Sequence, residues 1–257
     1  MSNRFSRLLS LWRSRSQGLD ELAALETLDG TVAWCRRAPL LGFNTSALRF
    51  RVIHALASRF AATEFIETGT YHGATAICAR NALRVPVRSC EASLKNCLAA
   101  KLITCGLSNI QISHAQSTDW LPQQVERQMQ LKRARPFFYL DAHPAGDAEY
   151  WPVREELALI LKLDSFLLAI DDFSVPELQN HGRDQWAGPL TPRTVREGLV
   201  AAGIREIYIP SYPAEFETGH ARTGFAIAFR SPELTKALQT EQFPLNLLKA
   251  YSLTGAS

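Results

Sequence analysis

The stretch Glu64-Phe-Ile-Glu-Thr-Gly-Thr-Tyr-His-Gly-Ala-Thr75 decides how this chain folds, because a short apolar run passes straight into a glycine turn that opens a helix. Thr63 to Glu67 reads as a buried strand. Gly69 and Gly73 let the backbone turn tightly and approach a ligand, and Ala74 to Leu83 has the composition of a helix. The spacing Glu-x-Gly-x-x-x-Gly is not the Gly-x-Gly-x-x-Gly of dinucleotide binders. An ordinary strand-to-helix turn has the same parts, so the turn alone does not decide the ligand. The second strand, Val85 to Cys90, ends in Glu91. In a doubly wound sheet a carboxylate there faces the crevice beside the glycine turn and accepts hydrogen bonds from both hydroxyls of a ribose. The plainer alternative makes Glu91 a solvated neighbour of the helix start at Ala92 and Ser93. Taken together, the two signals favour an adenosine-type cofactor.

From Thr63 onward strands and helices alternate. Strands are predicted at 63 to 67, 85 to 90, 109 to 113, 136 to 141 and 165 to 171, with helices at 74 to 83, 93 to 105, 119 to 132 and 152 to 162. That rhythm means a parallel sheet with right-handed crossovers. A polar loop with Pro176, Gly182, Gly188 and Pro189 follows, then a helix from about Pro192 to Ala202 and strands at 206 to 210 and 224 to 229. The link from Ser211 to Thr223 has no room for a crossover helix, so the last two strands should be antiparallel. Before the first strand, Leu19 to Phe60 carries helical spacing, broken at Asp29-Gly30 and around Pro39 to Asn44, which suggests two or three helices.

The composition, with 46% hydrophobic residues among 257, supports one sizeable core. A net charge of +3, from 28 basic and 25 acidic residues, is too balanced to indicate nucleic acid as an obligate partner. No apolar run has the length of a membrane span. Cys35, Cys78, Cys90, Cys97 and Cys105 form no Cys-x-x-Cys pair and fall inside predicted elements, which suits buried thiols in a reducing, cytoplasmic compartment. Arg4, Arg7, Arg13 and Arg15 alternate with serines before the first acid at Asp20, as in organelle transit peptides. Leu8, Leu9, Leu11 and Trp12 there equally suit an amphipathic helix packed over the active site or against a second subunit in a homodimer.

With these elements in place, the chain resembles the class I S-adenosylmethionine-dependent methyltransferases, and its turn Glu-Thr-Gly-Thr-Tyr-His-Gly looks like that of the macrocin-type and catechol-type O-methyltransferases. The resemblance covers roughly residues 60 to 230. It implies an α/β, Rossmann-like, seven-stranded sheet with an antiparallel final strand and helices on both faces. The implied domains are an N-terminal helical extension or lid over 1–60, a cofactor-binding domain over 61–231 and a C-terminal tail over 232–257. Glu67, Gly69, Thr70, Tyr71 and Gly73 would surround the methionine part of S-adenosyl-L-methionine. Glu91 would bind the ribose, while Gln116 and Ser117 would flank the adenine.

The same resemblance implies metal-binding acids after strands four and five. Strand four ends Phe137-Phe-Tyr-Leu-Asp-Ala-His143 and strand five ends Leu168-Ala-Ile-Asp-Asp-Phe173. Asp141, Asp171 and Asp172 thus fall at the ends of neighbouring strands about 4.8 Å apart. Three carboxylates so close repel one another, and Mg²⁺ or another divalent cation with oxygen ligands relieves that. The alternative is that one of the Asp171, Asp172 pair caps a turn while the other faces solvent. His143 lies on the same side as Asp141 if the chain stays extended, as base, as a further metal ligand or as a substrate contact.

The function these readings imply is methyl transfer to a hydroxyl of a small molecule such as a sugar, phenol or natural product, with His143 and Asp141 as catalytic residues. Trp151, His181, Arg183, Trp186 and Arg193 are candidates for the acceptor pocket, or tryptophans that only pack a loop down. Rival functions are N-methyl transfer, a non-methylating relative on the same scaffold, and an NAD-dependent oxidoreductase. Asp141-Ala-His-Pro replaces the Asn/Asp-Pro-Pro-Tyr type signature of amino-group methyltransferases. The glycine spacing is too loose for the nicotinamide reading.

Overall fold

The computed structural model describes residues 18–37, 42–143, 151–174, 190–213, 216, 223–239 and 242–254. Three helices come first: α1 (Leu19–Ala24), α2 (Leu28–Arg37) and α3 (Ala47–Phe60). The expected break at Asp29-Gly30 is not there. Instead the chain breaks just before Leu28, and the Thr27 hydroxyl accepts from the Gly30 backbone N–H at 3.1 Å, so Asp29 and Gly30 sit in the capped first turn of α2. The Arg- and Ser-rich start, with Leu8, Leu9, Leu11 and Trp12, lies outside the described residues, as do His181, Arg183 and Trp186.

The alternation follows as expected: β1 (Glu64–Thr68), α4 (Ala74–Leu83), β2 (Val87–Glu91), α5 (Leu94–Thr104), β3 (Ile110–His114), α6 (Ser117–Gln130), β4 (Pro136–Leu140), α7 (Val153–Ile160), β5 (Phe166–Phe173) and α8 (Pro192–Ala201). Then come β6 (Glu206–Pro210), β7 (Gly224–Arg230), α9 (Pro232–Leu238) and β8 (Leu248–Ser252). The sheet order is β3-β2-β1-β4-β5-β7-β6-β8. Strands β1 to β5 pair in parallel, and β7 runs antiparallel to both β5 and β6.

One strand was not foreseen. β8 pairs antiparallel with β6 from Glu206↔Ser252 to Pro210↔Leu248, so the 232–257 segment adds a helix and an edge strand where a packed tail was expected. Its sequence, Leu-Lys-Ala-Tyr-Ser, is short and alternates weakly, which is typical of an edge strand and hides it from pattern reading.

Strand alternation splits the core in two. Phe65, Phe137, Tyr139, Leu167, Ala169, Phe225 and Ile227 face α1, α3, α4 and α9, whereas Ile66, Phe138, Leu140, Leu168, Ile170, Ala226 and Ala228 face α6, α7 and α8. The first face is strongly aromatic: Phe65 meets Phe137 edge-on at 5.0 Å, and Phe43 meets Tyr139 at 5.3 Å. Cys78, Cys90 and Cys97 are buried and free, while Cys105 is exposed, contrary to the expectation that every thiol is buried. Among the described residues no helix is long and apolar enough to cross a membrane.

Candidate functional site

The glycine turn lies at the carboxyl end of β1. Gly69 has φ +81°, and a Cβ on it would stand 2.1 Å from the Asp141 carbonyl oxygen, so only glycine lets the turn approach the end of β4. Asp141 N donates to Thr68 O at 3.0 Å, tying the same two strand ends together. The backbone N–H groups of Gly69 and Thr70 both donate to Cys90 O at 3.0 Å, fixing the turn to β2. Glu91 completes the clamp. One of its carboxylate oxygens accepts from Tyr71 N at 2.7 Å and the other from Ser93 N at 2.8 Å, so Glu91 faces the turn and not bulk solvent.

Glu67 is almost fully buried and accepts from the Ser89 hydroxyl at 2.5 Å. Burial pushes its carboxyl up to about 8, with the Glu91 charge adding to the effect. Tyr71 is 62% exposed with a left-handed φ of 49°, and its ring stacks on that of His72 at 3.8 Å at the mouth of the turn. Gln116, exposed, precedes α6, and Ser117, buried, begins it. The cofactor candidates therefore converge on one side of the sheet, around the carboxyl ends of β1 and β2 and the start of α6.

Next to them are the acids. In a regular strand Asp171 and Asp172 would face opposite sides, and β5 instead carries an irregularity between Ile170 and Phe173 with Asp172 at φ 52°. The two carboxylates consequently part. Asp171 is held in a buried ion pair with Arg49 of α3, and it also accepts from the Tyr139 hydroxyl, from Asn44 Nδ2 at 3.2 Å and from its neighbour's backbone N–H at 2.7 Å. Asp172 meets His143 Nε2 at 2.9 Å. Burial works to raise the Asp172 carboxyl, but hydrogen bonds from His143 and Thr223 outweigh it and hold Asp172 below its ordinary value. Asp141 is pushed well up by burial and by the charges of Asp171 and Asp172.

The three expected metal ligands are thus not equivalent. Donor atoms of Asp141, His143 and Asp172 all lie within 4.8 Å of one another, whereas Asp171 is engaged by Arg49. Trp151 packs its ring 5.6 Å from that of His143, and Arg193 is exposed on α8. A small crevice is lined by Asp141, Trp151, Glu156, Asp171, Asp172 and Leu190 among others.

Sequence reasoning missed Asn44, Arg49, Tyr139, Glu156 and Thr223. Asn44 sits in a left-handed turn, with φ 53°, 53° and 60° at Phe43, Asn44 and Thr45, and its Nδ2 also lies 3.4 Å from Asp172 Oδ1 and 3.2 Å from the Thr223 hydroxyl. Arg49 Nη2 donates to Thr223 O at 2.5 Å. Glu156, 1% exposed on α7, is pushed up to about 7 by burial, and its Oε1 has no partner. The one legible signal was polar residues at core positions of apolar helices, Arg49 in Ala47–Phe60 and Glu156 in Val153–Ile160.

Strands β1 to β7, in the order 3-2-1-4-5-7-6 with β7 reversed, form a Rossmann-like sheet of the kind that the resemblance to class I S-adenosylmethionine-dependent methyltransferases implied. Among solved structures, the chain is similar to the O-methyltransferase TomG from Streptomyces achromogenes, involved in tomaymycin synthesis and solved in complex with SAM. That similarity has 16% identity and a TM-score of 0.48 over 82% of this chain and 87% of that one. It is also similar to an O-methyltransferase from Bacillus cereus in complex with SAH, at 20% identity and a TM-score of 0.49 over 86% of this chain and 99% of that one. No family model and no curated protein sequence matches the chain.

Proposed function

We propose that this chain transfers the methyl group of S-adenosyl-L-methionine to a hydroxyl of a small molecule. The observation that carries the reading is the placing of two different devices side by side at the carboxyl ends of the strands. The glycine turn is clamped by Glu91, and the Asp141, His143 and Asp172 group follows β4 and β5. In the transfer the methyl carbon–sulfur bond breaks as the carbon–oxygen bond forms, the sulfonium becomes a thioether, and the hydroxyl proton leaves. His143 is the base for that proton. Asp172, 2.9 Å from its Nε2, orients the ring and stabilises the imidazolium that forms.

The donor set also suits a divalent cation, because donor atoms of Asp141 and Asp172 lie within 4.8 Å of each other, and burial together with like-charge repulsion already raises Asp141. Mg²⁺ or a similar ion held by Asp141 and Asp172, with His143 at its edge, would supply a Lewis acid that makes the hydroxyl easier to deprotonate.

Calorimetric titration with S-adenosylhomocysteine and with NAD tests the cofactor, and saturation by NAD alone would end this reading. For the chemistry, labelled S-adenosylmethionine is incubated with a panel of sugars and phenols. His143→Ala should lower kcat on any acceptor found by about a hundredfold or more, with S-adenosylhomocysteine affinity unchanged. An equal loss of cofactor affinity would remove His143 from the proton step.

A further inference from the structure

We infer that Arg49 is a built-in counter-cation that withdraws Asp171 from any divalent ion, so that Asp141 and Asp172 alone supply the carboxylate ligands and Arg49 competes with the metal for Asp171. The inference deepens the function proposed above and rests on it for the presence of a cation.

Geometry carries the assignment. The side chains of Arg49 and Asp171 are 1% and 0% exposed, so their charges neutralise each other away from water. Every oxygen of Asp171 is already engaged: Oδ1 by Arg49 and the Asp172 backbone N–H, Oδ2 by Tyr139 and Asn44. Arg49 is itself fixed by more than Asp171. Its Nη2 donates to Thr223 O, its guanidinium lies 5.2 Å from the Phe225 ring centroid, and it is carried on a helix whose capping residue, Ser46, accepts from Arg49 N at 3.2 Å. The left-handed turn from Phe43 to Thr45 then sets Asn44 between Asp171 and Asp172.

On the crevice side the picture is different. Asp141 and Glu156 line the same crevice, and Glu156 there has an unpartnered, buried Oε1, the situation expected of a group that accepts from an ordered water beside a bound ion. The irregularity in β5 is what divides the two aspartates between these settings.

The test titrates full-length protein, saturated with S-adenosylhomocysteine, with MnCl₂ and reads bound ion from loss of the electron paramagnetic resonance signal of free Mn²⁺. Asp172→Asn should weaken Mn²⁺ binding at least about tenfold, while the double variant Arg49→Met, Asp171→Asn should stay within about threefold of the native protein. Arg49→Met alone, which frees Asp171, should bind Mn²⁺ at least about tenfold more tightly and gain more in Tm on adding the ion than the native protein does.

If the double variant loses Mn²⁺ as Asp172→Asn does, Asp171 is a ligand and the inference is overturned. It is equally overturned if Arg49→Met binds no more tightly than the native protein. Should Arg49→Met fold only with Mn²⁺ present, that requirement itself reports the freed carboxylate taking the ion, and the double variant still decides the ligand set. Failure of the native protein to bind S-adenosylhomocysteine sinks the methyl-transfer reading instead, and the Mn²⁺ series run without it still decides the role of Arg49.

Discussion

Glu67, next to last in β1, has a carboxyl that burial holds near 8, against an ordinary value of 4.5. Between those values the folded protein keeps a proton that the unfolded chain has lost. The stability this group contributes is therefore complete below about 4.5 and declines as the pH rises to about 8, by up to about 1.4 kcal/mol per unit. Glu156 behaves in the same direction up to about 7. Replacing Glu67 by Gln should flatten the fall of Tm across this range, as read by differential scanning calorimetry, and a slope identical to the native one would show the group to be ionised throughout. At this scale the sequence was informative wherever a polar residue stood at or beside a strand end, as at Glu67, Glu91, Asp141 and Asp172, because strand ends in a parallel sheet share one crevice. It was silent on what Arg49 pairs with, since the partner of a buried arginine is chosen by packing between elements far apart in the chain.

Among the elements, the turn from Phe43 to Thr45 stands out, because three successive non-glycine residues take left-handed φ values. Each costs about 1–2 kcal/mol. The turn persists because Phe43 N donates to the buried Thr75 hydroxyl at 3.1 Å and the Phe43 ring packs among Phe50, Phe65 and Tyr139. Asn44→Gly should keep or raise Tm, as glycine accepts a left-handed φ freely, yet lower kcat several-fold because Asp172 loses a donor. A Tm loss with full kcat would make the amide purely structural. Pattern reading placed only a chain break there, because strain of this kind depends on what the turn is pressed against. The parallel strands were legible for the opposite reason: runs such as Phe137-Phe-Tyr-Leu are buried on both sides and signal themselves through hydrophobicity alone.

For the molecule as a whole, α1 to α3 belong to the core and do not merely border it. Leu48, Phe50, Val52, Ile53, Leu56 and Phe60 of α3 cover the aromatic side of the sheet, and Arg49 neutralises Asp171. A protein beginning at residue 61 should consequently fail to fold, since a lone buried charge costs about 3–5 kcal/mol and the aromatic face would be bared to water. Circular dichroism and size-exclusion chromatography check this, and a cooperative, monomeric truncation would contradict it. The order of helices and strands could be read along the chain because each connection is short. The eighth strand could not, because its pairing with β6 joins segments separated by α9 and is set by contacts absent from its own five residues.

The contact between Gly69 and the Asp141 carbonyl has a wider meaning. It is backbone against backbone, with the Asp141 N–H tied to Thr68 O beside it, so under the proposed function the seat of the methyl donor and the seat of the incoming alcohol would be welded into one block. Side chains around the rim can then change during divergence, altering which alcohols are admitted, while the span that the methyl group must cross stays constant.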